Sequence, residues 1–126
     1  MGYEIIKCAP DEDLYIEWSS IVEAPTAVGT RAEMLEYLPT GAHENCPTCR
    51  CNPGAERLER ADRTGTSGLD GWGCDWTSGG LIYQQRGYLP RARFAEFARR
   101  FLADDEASMV ALLDPFDDEP EETGAA

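Results

Sequence analysis

The chain has 126 residues, with 24 acidic and 11 basic side chains and a formal net charge of -13. That length suits one domain with a core of its own, and a hydrophobic content of 42% excludes disorder throughout. The longest apolar runs, such as Met109 to Leu113, fall far short of the roughly 20 residues a membrane helix needs.

Ile5 and Ile6 are all the N-terminus offers toward the roughly 7–15 apolar residues of a signal peptide, so the expectation is a cytoplasmic protein. In that compartment five cysteines are read as thiols or metal ligands rather than as a disulfide framework.

Tyr3 to Cys8 reads as a short strand and Leu14 to Val22 as a longer one, in which Leu14, Ile16 and Trp18 alternate with Tyr15 and Glu17. Pro10 to Asp13 is turn chemistry, so the two form an antiparallel hairpin, with a bulge or bend near Ser19 and Ser20. Thr30-Arg31-Ala32-Glu33 is a capping box that starts a helix, and Pro39 stops it. Its apolar stripe is expected at Ala32, Leu35 and Leu38, with Met34 alongside. A second helix begins near Pro53 after a possible Asn52 cap. With Leu58 as its one bulky apolar residue, and with Glu56–Arg60 and Glu59–Arg63 pairs, it is expected on the surface.

Leu81 to Gln85 is the third strand, and Gly87 with Pro90 marks the turn into the strongest helical pattern, Arg91 to Ala103. Phe94, Phe97, Ala98, Phe101 and Leu102 recur at helical spacing on its apolar face. Ala107 to Leu113 reads as a last short helix. The expected fold is a single α+β domain over residues 1–116. A short antiparallel sheet of about three strands is packed on one face by two to four helices, and an acidic disordered tail follows at 117–126.

Nine of the acidic residues lie between Asp104 and Ala126, a stretch with no basic one. Two prolines and mutual repulsion favour an extended end, with Phe116 as a lone aromatic anchor. Such a charge opposes direct nucleic-acid binding and favours a basic protein partner. A rigid acidic surface of this kind is also suited to inhibition of a basic protein or to nucleic-acid mimicry. On the last long helix Arg93, Arg99 and Arg100 lie opposite the phenylalanines, forming a basic face for solvent or for an acidic segment.

His43, Cys46, Cys49 and Cys51 fall within nine residues, the first two cysteines as Cys46-Pro47-Thr48-Cys49. A Cys-x-x-Cys turn lets two thiolates converge at about 2.3 Å from one Zn2+ ion, with His43 or Cys51 third and the same loop or Cys74 fourth. Only one such pair exists, so a loop of exposed reduced thiols is the competing reading. A thiol oxidoreductase using Cys46 and Cys49 is another, although no buried strand leads into the motif as that chemistry requires. The zinc-deaminase order, H-x-E followed by P-C-x-x-C, is absent.

Gly65 to Gly80 holds six glycines together with Trp72, Cys74 and Trp76. Tryptophan either pins such a loop to the core or offers it as a contact surface, where Asp70 and Asp75 add charge. Gly65-Thr66-Ser67-Gly68 matches neither a phosphate loop nor a nucleophile elbow. No coherent catalytic set emerges. The expectation is a non-enzymatic protein-interaction module with Trp72, Trp76, Asp70, Asp75, Phe116 and the three arginines as contact residues.

Overall fold

A computed structural model describes residues 3–38, 54–68, 74–77 and 79–115. They form an α+β domain built on an antiparallel sheet of three strands in sequence order: β1 (Tyr3–Lys7), β2 (Tyr15–Ser19) and β3 (Ala24–Gly29). The β1–β2 hairpin pairs Tyr3 with Ser19 and Lys7 with Tyr15. Between β2 and β3 the register slips at Glu17/Trp18, so the bulge lies just before the serines that suggested it. The third strand of this sheet is therefore Ala24–Gly29, a segment whose Pro25 and Gly29 argue against a strand. Proline is tolerated there because β3 is an edge, where one side of the backbone needs no ladder partner. The opposite edge, β1, is covered by residues 65–67 through Lys7 N–H to the Gly65 carbonyl (3.0 Å) and Ser67 N–H to the Ile5 carbonyl (2.8 Å).

Helices cover both faces of the sheet, which corrects the one-sided cover expected from the alternation. Ile5 and Ile6 are each fully buried, and adjacent strand residues point to opposite faces. On one face Ile5 and Tyr15 pack with Met34, Leu38, Leu58 and Ala61 from α1 (Arg31–Tyr37) and α2 (Gly54–Thr64). On the other, Ile6, Ile16 and Trp18 meet Phe94, Phe97, Ala98 and Met109 from α3 (Phe94–Leu102) and α4 (Glu106–Val110). All five residues of β2 are buried as a result.

The capping box of α1 forms as expected: Glu33 N–H donates to Thr30 Oγ1 at 3.2 Å, and Thr30 N–H donates to Glu33 Oε1 at 2.8 Å. Its buried stripe is Met34 and Leu38, whereas Ala32 and Leu35 face outward. This difference arises because the helix must present side chains to two neighbours, β3 and α2, rather than to the sheet alone. Nor is α2 a surface element. Leu58 and Ala61 are fully buried against β1, and Arg60 donates to the Ser67 carbonyl at 2.8 Å.

A second, two-stranded sheet joins β4 (Gly80–Ile82) to β5 (Tyr88–Pro90). Asp114 extends it, exchanging backbone hydrogen bonds with Tyr88 at 2.8 and 2.7 Å. From Pro90 the chain passes through one 3-10 turn (Arg91–Arg93) into α3. Phe94, Phe97 and Ala98 are buried as the pattern requires, but Leu102 is 57% exposed because α3 ends beside a left-handed residue, Asp104, that turns the chain into α4. Trp18, Tyr83 and Phe97 form an aromatic trio that locks both sheets to α3, with Tyr83 and Phe97 edge to face at 5.2 Å.

Leu58 decides how far α2 belongs to the core. Leu58→Ala should lower the unfolding free energy by about 2–5 kcal/mol in urea titration, the range for deleting a fully buried leucine. A loss below about 0.5 kcal/mol, typical of surface substitutions, would make α2 peripheral.

Candidate functional site

The densest polar centre among the described residues is built around Arg91. Its guanidinium donates to three backbone carbonyls: Cys8 (3.0 Å), Gly65 (3.1 Å) and Asp75 (3.1 Å). The same group lies 4.9 Å from the Trp76 ring centre and 4.7 Å from that of Phe94. Three rigid donors and two aromatic faces are what a guanidinium offers and an ammonium does not. Burial holds the Arg91 pKa below its ordinary value, with Cys74, Cys8 and Asp75 pulling the other way. Gly65 must be glycine here, since its φ is +96° and a Cβ would meet Arg91 Nη2 at 2.5 Å and the Trp76 ring at 2.8 Å.

This centre absorbs part of the glycine and tryptophan loop. The Trp76 indole donates to the Arg63 carbonyl at 3.0 Å, its backbone N–H donates to Thr64, and its ring covers Arg91. The Asp75 carboxylate accepts from Thr77 N–H and Oγ1 in a local turn. Cys74 is buried with a φ of +96° and belongs to the same apolar cluster as Cys8. Burial pushes the Cys8 thiol up to about 12, while Arg91 and Arg99 act against it, so at neutral pH it is a protonated core group rather than a nucleophile. Trp72 and Asp70 lie outside the described residues, as do His43, Cys46, Cys49, Cys51 and Phe116. Among the described residues no group of three or more His, Cys, Asp or Glu side chains is placed to hold a metal ion.

A second polar cluster centres on Asp62 of α2. Tyr15 Oη donates to Asp62 Oδ1 at 2.5 Å, Arg31 Nε to Oδ2 at 3.0 Å, and Lys7 Nζ lies 3.7 Å away. These four residues come from β1, β2, α1 and α2, so the network ties every element on one side of the sheet. Burial raises the Asp62 pKa, but the Tyr15 hydroxyl and Arg31 outweigh it and leave the carboxyl below its ordinary value. Glu17 is likewise satisfied, accepting from Tyr37 Oη at 2.7 Å and Thr26 Oγ1 at 2.8 Å. Its bond raises the Tyr37 phenol.

The arginine face of α3 is paired by the chain's own carboxylates. Arg93 meets Asp114 at 2.9 Å, Arg99 meets Glu12 at 2.8 Å, and Arg100 meets Glu96 at 2.9 Å while also bonding the Ser108 carbonyl. The acidic stretch that begins at Asp104 thus supplies one partner, Asp114.

Past the C-terminal end of α3, three turns border a groove of about 310 Å³ between β3, Tyr83 and the junction of α3 with α4. Sequence patterning does not reveal it, because its residues come from three separated segments. One signal was available, the apolar pair Ile21–Val22, which the sequence reading placed in the strand from Leu14 but which lies past the end of β2 at Ser19 and is exposed.

No protein-family model, curated protein or solved structure matches this chain. The residues themselves therefore carry the functional reading.

Two substitutions test the polar centres. Arg91→Lys keeps the charge but cannot serve three carbonyls, and should cost about 2–4 kcal/mol in denaturant unfolding; a loss under about 1 kcal/mol would show that the fork is dispensable. Asp62 has a lowered folded pKa, so its stabilising contribution is present above about pH 4 and is lost as pH falls through the folded value. The stability difference between the native chain and Asp62→Asn should stay constant from pH 7 to 5 and shrink below pH 4, read by urea titration at each pH.

Proposed function

We propose that this chain is a non-enzymatic protein-interaction module that binds a basic protein. The observation that carries the reading is how its positive groups are used. Arg31, Arg86, Arg93, Arg99 and Arg100 each pair with a carboxylate of the same chain. Arg57, Arg60 and Arg91 donate to backbone carbonyls. With these eight arginines turned onto the fold itself, the acidic surplus behind a net charge of -13 is left for an approaching molecule.

The titratable clusters support the same reading. Asp62, Glu17 and Arg91 each join several elements of the fold through satisfied hydrogen bonds, which is the work of structural groups. A zinc-ordered loop at Cys46 to Cys51 is compatible with such a module, since a structural metal would fix a contact loop without taking part in a reaction.

The test is a titration with a purified partner recovered by the immobilised chain and then prepared separately. Calorimetry should give a stoichiometric complex with a protein of high isoelectric point, weakening about tenfold or more between 50 and 300 mM salt as exposed charges are screened. An acidic partner, or an affinity indifferent to salt, would overturn the proposal.

A further inference from the structure

We propose that the groove between β3, Tyr83 and the α3–α4 junction is the docking site for a segment of that partner in which an aliphatic side chain is flanked by arginines. This rests on the basic-partner reading and adds to it a place and a recognition mode. Ala24, Pro25, Tyr83, Phe101 and Met109 form the apolar part of a mixed lining, room for one branched aliphatic side chain, and Gln84, Asp104 and Glu106 form the polar part. Ile21 and Val22, 75% and 54% exposed, lie on the turn leading into Ala24, and Leu102, 57% exposed, follows Phe101. Exposed apolar side chains of this kind, adjacent in the chain to residues that line the groove, are unusual for a domain that otherwise buries its core well.

Charge selects the occupant. Asp104 and Glu106 line the groove beside Gln84, and Asp105 lies between them in the chain. The chain already displays how a guanidinium sits here: Arg86 Nη1 meets Glu106 Oε2 at 2.6 Å while its guanidinium carbon lies 5.9 Å from the Tyr83 ring centre. With Glu106 and the Tyr83 face held by Arg86, a partner arginine would pair with Asp104 first and reach Glu106 only by sharing it with Arg86.

The framework is also preset. Glu23, Gln84, Gln85 and Asp104 all have left-handed backbone, with φ between 51° and 60°. Gln84 N–H donates to the Glu23 carbonyl at 3.0 Å, and Gln85 Nε2 donates to Glu23 Oε1 at 2.7 Å. Two of the turns that enclose the groove are therefore clamped to each other, so little ordering would be left for binding.

Three synthetic pentapeptides, capped Arg-Arg-Leu-Arg-Arg, Arg-Arg-Gly-Arg-Arg and Glu-Glu-Leu-Glu-Glu, test the site by nitrogen-edited NMR titration of the full chain. The first should shift the amides of Gln84, Phe101, Asp104 and Glu106 saturably, the second should bind about fivefold more weakly, and the third should not bind. Asp104→Asn, which tolerates the left-handed backbone, combined with Glu106→Gln should weaken the first peptide about tenfold with the amide spectrum otherwise native. Leu102→Ser, at an exposed position, provides an independent variant that should weaken the leucine peptide and leave the glycine peptide unchanged. Saturable shifts confined to another acidic surface, or unchanged affinity in the double variant, would sink the groove while leaving the basic-partner reading intact. Groove shifts that grow with protein concentration and no peptide would assign it to a second copy of the chain and overturn the proposal. If neither basic peptide bound anywhere and no basic partner was recovered, both readings would fall.

Discussion

Everything in this domain follows from the burial of β2 on both faces. A strand that meets helices above and below has no solvent side, so each polar group it carries must find a partner inside the protein. Tyr15 uses Asp62, Glu17 uses Tyr37 and Thr26, and the Ser19 hydroxyl faces the amides of Ile21 and Val22 at 3.3 Å. Those partners in turn dictate where α1, α2 and the β2–β3 turn lie. The ionic network around Asp62 is thus a consequence of the layering, and it explains why charged side chains that resemble catalytic groups act as joints.

The same requirement distinguishes the two ends of α3. Around Arg91 the residues that looked most like contact groups, Trp76 and Asp75, close over a guanidinium and hold the second irregular segment to the sheet. At the other end, the turns near Glu23, Gln84 and Asp104 close over nothing comparable and leave apolar side chains exposed around a concavity. Large aromatic residues in a glycine-rich loop are equally suited to anchoring and to recognition, and here Trp76 anchors.

Much of the architecture was legible in the sequence because it depends on local chemistry. The Thr30 capping box, the phenylalanine spacing of α3 and the first hairpin all carry short-range signals, and each is present. The two-sided cover was harder to see. Its clue was the Ile5–Ile6 doublet, since two adjacent apolar residues in a strand cannot both face one core, but five residues are too few to separate that pattern from noise. Pro25 hid β3, because proline speaks against a strand unless the strand is known to be an edge. The groove was illegible for a different reason: it is assembled from turns distant in sequence, and no periodicity encodes such an arrangement. The cysteine loop, by contrast, was conspicuous in the sequence and lies outside the described residues.

The Arg91 contacts also order events in time. Cys8, Gly65 and Asp75 all precede the arginine that joins them, the farthest by 83 positions. During synthesis the first hairpin, β3 and α1 can assemble from neighbouring residues, whereas the pin arrives only after most of the chain has left the ribosome. Residues 65–67 can close the β1 edge before then, but the face that α3 will cover stays open to other chains until the pin and the helix behind it arrive.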